Sequence, residues 1–148
     1  QMKMTDGIQE GLLPLNPYRK TEAETMAYSE WMKSDANNEV GVFVNAMHDG
    51  AYTKVKGVDF GSKGAAKVTV RIGTTHHSGV TMEVRADGIQ GTLLATLDVP
   101  MTGGDDRWAL VTADVAGIKG VHDLYFVCKG NKPGRLMYFD YWMFHRRK

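Results

Sequence analysis

Three carboxylates near the two ends of the chain have a spacing that suits metal binding. Glu22 and Glu24 are two residues apart, so in a β-strand both side chains leave the same face. Asp140 lies in a run that is otherwise rich in aromatic residues, where an unpaired charge would be costly. If the first and last strands pair, the three side chains offer oxygen ligands to a hard cation such as Ca²⁺. The alternative is that they are surface carboxylates paired with Lys20 or Arg135.

The composition is that of one globular domain. Of the 148 residues, 43% are hydrophobic and 24% are charged. The formal net charge of +1 gives no general electrostatic reason to expect nucleic acid or an anionic membrane as a partner. No apolar stretch approaches transmembrane length. The single cysteine, Cys128, lies in an apolar run and is expected to be a buried thiol rather than a nucleophile.

The elements that must position these residues are strands. From residue 21 onward, short segments rich in β-branched and aromatic residues alternate with glycine-marked turns. The pattern predicts an all-β fold, a β-sandwich jelly roll of two antiparallel sheets. A weak helical pattern covers residues 26–33. The predicted strands cover residues 40–47, 52–60, 67–74, 80–86, 92–99, 108–115, 121–129 and 136–144.

The chain divides into a short lead-in and one module. Residues 1–20 contain Pro14 and Pro17 and predict a linker segment, and residues 21–148 predict the β-sandwich. The sequence has no phosphate loop, nucleophile elbow, dinucleotide fingerprint or cysteine cluster. No motif marks a glycosidase-like carboxylate pair. A stand-alone enzyme is therefore the least favoured class.

Six short motifs occur together and in order along the chain. They are Glu-Ala-Glu-Thr at 22–25, Asp-Gly-Ala-Tyr at 49–52, Gly-Val-Asp-Phe-Gly at 57–61, Thr-Gly-Gly at 102–104, Gly-Val-His-Asp-Leu-Tyr-Phe at 120–126 and Phe-Asp-Tyr-Trp at 139–142. With these motifs, residues 20–145 resemble carbohydrate-binding module family 6. The lead-in through residues 15–18 resembles the segment that joins such modules to family 43 glycoside hydrolases of the arabinofuranosidase and xylosidase type.

The resemblance implies a structural calcium ion and an edge cleft for sugar. It assigns the calcium to Glu22, Glu24, Asp140 and a main-chain oxygen. In the family's edge cleft two aromatic rings sandwich a sugar, while an asparagine and an acidic residue bind its hydroxyls. A pyranose has an apolar C–H face that stacks on a ring, and its hydroxyls need polar partners. Family members also carry a second sugar site on the concave face.

This chain departs from the family pattern at several cleft positions. Tyr52 keeps the first aromatic position, and Asp35 stands where glutamate is common. Asp105 replaces the usual tryptophan of the second ring, and Tyr138 replaces the asparagine. Trp31 occupies a position that is usually glycine. Tyr138 and Trp31 are candidates for a replacement ring, and the alternative for Trp31 is that it closes the cleft. The Asp105 carboxylate is a candidate acceptor for sugar hydroxyls.

The sequence thus predicts a non-catalytic carbohydrate-binding module with an altered edge cleft. Its expected partners are plant cell-wall xylan, arabinoxylan or xylo-oligosaccharide, and the catalytic domain of a secreted or periplasmic glycoside hydrolase that contains it. Neither nucleic acid nor a membrane is an expected partner. The alternative is a structural accessory β-sandwich that packs on the catalytic domain and binds little or no sugar.

Overall fold

A computed structural model of the chain describes residues 14–148, and these residues form strands and loops without a helix. The described part of the chain therefore has no helix that could cross a membrane. The strands are β1 (Thr21–Glu22), β2 (Tyr28–Glu30), β3 (Met32–Asn37), β4 (Gly41–Ala46), β5 (Tyr52–Asp59), β6 (Ala65–Gly73), β7 (Thr81–Ala86), β8 (Thr92–Asp98), β9 (Ala109–Asp114), β10 (Val121–Lys129) and β11 (Met137–Arg146).

The strands form two antiparallel sheets packed face to face. One sheet has the order β3-β4-β11-β6-β9, with β1 also paired to β11, and the other has the order β2-β5-β10-β7-β8. This confirms the predicted sandwich and all eight predicted strands. The weak helical pattern over residues 26–33 does not correspond to a helix, because this segment forms β2 and the start of β3 with Trp31 between them. Pairing of β2 with β5 and of β3 with β4 overrides the weak local pattern.

The core lies between the two sheets and follows the predicted alternation. Val68, Val70 and Ile72 of β6 are fully buried, and the intervening residues face outward. Phe126 of the five-stranded sheet contacts Trp142 of the six-stranded sheet, with ring centroids 5.2 Å apart. Cys128 is fully buried, and burial raises the pKa of its thiol to about 12. The thiol is therefore protonated at neutral pH, as a core residue should be.

The described end of the lead-in is attached to both sheets. Leu15 forms a parallel bridge with Val58 of the five-stranded sheet. The backbone N–H of Phe144, in the six-stranded sheet, donates to the carbonyl of Pro17 at 2.9 Å. The earlier part of the predicted lead-in, residues 1–13, lies outside the described residues. The predicted domain boundary stays a prediction.

Candidate functional site

The pairing of β1 with β11 brings Asp140 close to the start of the module. The register of β11 against β6 shifts between Phe139 and Tyr141, so Asp140 is the extra residue of a β-bulge. A bulge breaks the in–out alternation and re-aims the side chain. Asp140 is only 3% exposed, and its carbonyl accepts the N–H of Ala23 at 2.8 Å.

Only one of the two predicted glutamates lies on a strand. β1 ends at Glu22, and Glu24 lies in the turn that follows, where the N–H of Thr25 donates to the Glu22 carbonyl at 2.9 Å. The premise that one strand presents both carboxylates is therefore wrong. Even so, burial and then the charges of Glu22 and Asp140 raise the pKa of the Glu24 carboxyl. The turn thus keeps the three acidic groups within electrostatic range of one another.

Two buried oxygens in this acidic group have no hydrogen-bond partner among residues 14–148: Oε2 of Glu24 and Oδ1 of Asp140. The other Asp140 oxygen, Oδ2, lies 3.3 Å from Nη1 of Arg71. Burial, and then the charge of Glu22, raise the pKa of the Asp140 carboxyl against the opposing effect of Arg71. Buried carboxylate oxygens without donors oppose folding, so this pair fits a bound cation.

The acidic group is not a complete metal site on its own. Within residues 14–148, no three His, Cys, Asp or Glu side chains already stand in a geometry that would hold a metal ion. A calcium ion would therefore also need main-chain carbonyls or water, which are ligands it commonly takes. The alternative of surface ion pairing applies to Glu22, whose Oε1 lies 3.7 Å from Nζ of the exposed Lys20.

The residues predicted to bind sugar are distributed over both sheets and two connecting segments. Tyr52 begins β5 in the five-stranded sheet. Asp35 and Tyr138 belong to β3 and β11 in the six-stranded sheet. Asp105 lies in the loop before β9, and Trp31 lies between β2 and β3, next to Glu30, which pairs with Tyr52. Tyr52 and Trp31 thus lie near each other in the chain pairing, whereas Asp35 and Tyr138 belong to the other sheet.

Arg135 fills the space between Asp105 and Tyr138. Its Nη1 lies 2.8 Å from Oδ2 of Asp105 and 3.0 Å from Oδ1 of Asn45. Its guanidinium carbon lies 4.7 Å from the centroid of the Tyr138 ring. Arg135 therefore forms a cation–π contact with Tyr138 and is held by two polar groups, between residues that the resemblance assigns to the edge cleft. Sequence reasoning missed this role of Arg135.

Tyr138 is a core residue with no face open to a ligand. It is 0% exposed, its hydroxyl is hydrogen-bonded to Thr102, and the same hydroxyl accepts the N–H of Gly104 at 2.9 Å. A Cβ built at Gly73 would lie 2.5 Å from Cε2 of Tyr138, so the ring rests directly on the backbone of β6. The prediction that Tyr138 supplies a sugar-stacking ring does not fit this burial.

A row of three tyrosines crosses the outer face of the five-stranded sheet. The ring centroids of Tyr28 and Tyr52 are 6.2 Å apart, and those of Tyr52 and Tyr125 are 5.9 Å apart. β5 lies between its neighbours β2 and β10. Thr53 and Val55 of β5 point into the core, so the alternation along the strand turns Tyr52 outward. Tyr28 is 51% exposed. We call these three rings the tyrosine row.

Polar side chains accompany the tyrosine row. Nζ of Lys54 lies 5.6 Å from the Tyr125 centroid and 3.8 Å from Oδ2 of Asp123. The Tyr28 hydroxyl donates to the carboxylate of Glu30. Rings beside charged and hydroxyl groups suit a ligand that is apolar on its face and polar at its edge.

Comparison with known proteins identifies the family. Residues 22–146, most of the chain, match the sequence model of the family described as carbohydrate binding module (family 6). The chain belongs to carbohydrate-binding module family 6. It is a binding module and not an enzyme, as the absence of catalytic motifs from the sequence predicted.

The module is similar to parts of larger enzymes and to free-standing family 6 modules. It is 38% identical over 138 residues to the arabinoxylan arabinofuranohydrolase of Bacillus subtilis (strain 168), covering 90% of this chain and 26% of that protein. The fold also matches a solved structure of a glycoside hydrolase family 43 arabinoxylan arabinofuranohydrolase from Bacillus subtilis in complex with cellotetraose. The two superpose with a TM-score of 0.86 at 35% identity, and the match covers 92% of this chain and 28% of that chain. A family 6 module from Clostridium cellulolyticum in complex with xylose gives a TM-score of 0.82 at 30% identity, covering 89% of this chain and 100% of that one. The chain thus spans about a quarter of the arabinofuranohydrolase.

A histidine joins two loops at one end of the module. Nδ1 of His122 lies 2.8 Å from Oδ2 of Asp87, and Nε2 lies 2.8 Å from the carbonyl oxygen of Lys119. Both partners are acceptors, so both ring nitrogens donate only in the imidazolium form. Desolvation lowers the pKa of His122, but the two hydrogen bonds and the charges of Asp87 and Asp123 outweigh it, and the pKa is raised.

We expect the contribution of His122 to the free energy of unfolding to decrease as the pH rises. A histidine whose pKa is raised by folding contributes fully below its unfolded pKa of about 6.5 and loses this contribution as the pH passes its folded pKa. Urea unfolding of the unaltered module and of His122→Gln, from about pH 5.5 to about pH 8.5, measures the difference. The difference should shrink with rising pH, and a constant difference would show that the imidazolium is not required.

Proposed function

We propose that this chain is the polysaccharide-binding module of a secreted or periplasmic, family 43-like glycoside hydrolase, with xylan or arabinoxylan as its ligand. Two findings support this ligand class. The module resembles about a quarter of an arabinoxylan arabinofuranohydrolase, and a module with a TM-score of 0.82 is described in complex with xylose. In this arrangement the module holds the polysaccharide while a separate domain performs hydrolysis.

The tyrosine row is the observation that carries the proposal. Tyr52 lies at its centre and contacts the rings of Tyr28 and Tyr125. Rings whose centroids are about 6 Å apart along a surface offer successive platforms to the C–H faces of sugar rings in a chain. Lys54 and Glu30 stand beside the rings and supply a hydrogen-bond donor and an acceptor for hydroxyl groups.

The edge cleft is expected to contribute little to this binding. Arg135 already occupies the space between Asp105 and Tyr138. Asp35 is exposed on β3, where its carboxylate accepts the N–H of Ala36 at 2.8 Å, and remains available as an additional polar contact. Binding to an open surface row without a second wall should be weak, with a dissociation constant in the millimolar range, or about −4 kcal/mol.

Calorimetry with xylohexaose tests the proposal. Replacement of Tyr52 by Ala removes the central ring and should weaken binding about tenfold, which takes millimolar binding out of the measurable range. Tyr18→Ala is the matched control, because it also removes a tyrosine ring but one outside the tyrosine row. The Tyr18 hydroxyl donates to the carbonyl of Phe60, at the other end of β5. Asp105→Trp should leave the affinity unchanged, since the expected sugar platform is the tyrosine row, to which Asp105 does not belong.

Two outcomes would overturn the assignment to the tyrosine row. Unchanged affinity in Tyr52→Ala would place the sugar elsewhere on the module. A gain of affinity in Asp105→Trp would show that the edge cleft is open and had lost only its second ring.

The closed edge cleft also favours a second candidate function, that of a structural accessory domain packed on the catalytic domain. In that case the module should not be retarded by any polysaccharide. Affinity electrophoresis in gels with soluble xylan, arabinoxylan, β-glucan and agarose separates the two candidates. Retardation in the xylan gels supports the binding function, and equal mobility in all gels supports the structural one.

We also propose that Glu22, Glu24 and Asp140 hold a structural calcium ion. The two unpartnered oxygens of Glu24 and Asp140 support this assignment. When bound, calcium supplies the positive charge that the buried carboxylates lack, because Arg71 reaches only one oxygen of Asp140.

A further inference from the structure

Trp31 has a backbone conformation that is unfavourable for its side chain. Its φ is 60°, and among the described residues Asp87 is the other non-glycine residue with positive φ. This region costs free energy for any residue with a Cβ, and a bulky residue there is a genuine outlier. Strain of this kind persists only where the surrounding structure imposes it, and it collects at functional sites. Glycine would fit the position without strain.

Burial does not explain the presence of Trp31. Its side chain is 61% exposed, so the large apolar surface of the indole gains little from folding. Among the described residues, its one ring contact is with His48, at a centroid distance of 5.1 Å and an interplanar angle of 27°. The His48 Nδ1 in turn lies 2.7 Å from the carbonyl of Asp49 and donates to it. The imidazole thus supports one face of the indole, while most of the side chain stays exposed.

The Trp31–His48 stack lies beside the tyrosine row. Glu30 pairs with Tyr52 in the β2–β5 ladder, and Trp31 is the next residue along the chain. The loop that carries His48 leads directly into Tyr52 at the start of β5. The carbonyl of Trp31 accepts the N–H of Met47 at 2.8 Å, which ties the two loops together. The stack therefore stands at the end of the strand pair that presents Tyr52.

We propose that Trp31 is an additional sugar subsite that extends the tyrosine row beyond Tyr52. Its ligand is the C–H face of a pyranose in a polysaccharide chain that already lies on the tyrosine row, so the inference rests on the proposed function. An exposed, pre-oriented indole is the best ring for such stacking. The strain at Trp31 is retained because it presents this ring to a long ligand.

Calorimetry with xylotriose and xylohexaose tests the subsite by ligand length. Trp31→Gly should weaken xylohexaose binding by about threefold to tenfold and leave xylotriose binding unchanged, because the shorter ligand is held by the tyrosine row alone. Leu110→Ala is the matched control, since it removes a similarly exposed apolar side chain from the other sheet. Equal xylohexaose affinities in Trp31→Gly and the unaltered module would overturn the inference.

Stability and fluorescence give independent readouts. Trp31→Ala keeps the strained backbone but loses the ring, so it should melt at a lower temperature than Trp31→Gly and bind xylohexaose as weakly. Xylohexaose should shift the tryptophan emission of the unaltered module to shorter wavelength, and this shift should be absent from Trp31→Gly. An equal shift in both proteins would overturn the inference.

The failure of this inference is distinguishable from that of the proposed function. If Tyr52→Ala loses binding while Trp31→Gly keeps it, only the additional subsite is rejected. If the unaltered module binds neither oligosaccharide, both proposals are rejected.

Discussion

Removal of calcium is expected to lower the melting temperature of the module by about 10 °C, because a cation present at about 1,000 times its dissociation constant stabilises a fold by about 4 kcal/mol. The physical cause is the acidic group at the β1–β11 pairing, where Oε2 of Glu24 and Oδ1 of Asp140 are buried without a partner. Without a cation these oxygens lose hydration and repel each other. Thermal unfolding with excess calcium and with excess chelator measures the effect.

Two matched variants test whether the fall in melting temperature comes from the acidic group at the β1–β11 pairing. Asp140→Asn should abolish the response to chelator, whereas Asp114→Asn should keep it, because Asp114 is exposed and paired with Lys67. A module that melts at the same temperature in chelator, and contains no metal by elemental analysis, would reject the calcium proposal.

The pH dependence of the chelator effect provides a further check on this prediction. Folding raises the pKa values of the Glu24 and Asp140 carboxyls. A carboxyl of this kind stabilises the calcium-free fold below its unfolded pKa of about 4 and loses that contribution as the pH rises through its folded pKa. The difference in melting temperature between the calcium and chelator samples should therefore shrink as the pH falls toward 4.

Tyr138→Ala is expected to reduce the free energy of unfolding by about 3–5 kcal/mol, the cost of truncating a fully buried aromatic side chain. The ring lies edge-on to Trp108 at a centroid distance of 5.0 Å, and its hydroxyl accepts the N–H of Gly104. Urea denaturation measures the loss. Tyr138→Phe should cost about 1–3 kcal/mol, because it leaves that N–H without its acceptor.

An exposed tyrosine of the tyrosine row provides the control for the stability of the Tyr138 variants. Tyr28→Ala removes an exposed ring and should change the free energy of unfolding by less than about 1 kcal/mol. If Tyr138→Ala were as mild as Tyr28→Ala, Tyr138 would not be the core residue described here, and a role for it in the edge cleft would regain support.

The fold was largely predictable because buried strands leave a strong pattern in sequence. The alternation in β6 comes directly from side chains that must be either inside or outside. β2 and β3 lack this signal, since none of their residues is buried and most are polar. Their strand character comes from backbone pairing with β5 and β4, which no local pattern records.

The sites were predictable in residue type but not in geometry. Motifs identified Glu22, Glu24 and Asp140, but Asp140 reaches the acidic group through a bulge that breaks the alternation of its strand. Tyr125 was part of a predicted strand, yet its place beside Tyr52 depends on the register between β10 and β5. The contact between Arg135 and Asp105 depends on loop conformations, which sequence spacing does not specify.

The most direct test of the central claim, that the tyrosine row binds polysaccharide, is a titration of the isotope-labelled module with xylohexaose followed by NMR. The largest chemical-shift changes are expected at the backbone amides of Tyr28, Tyr52 and Tyr125 on the five-stranded sheet. Saturable changes confined to these strands would support the account. Changes centred on residues 103–106 and Arg135, or no changes at millimolar ligand, would contradict it.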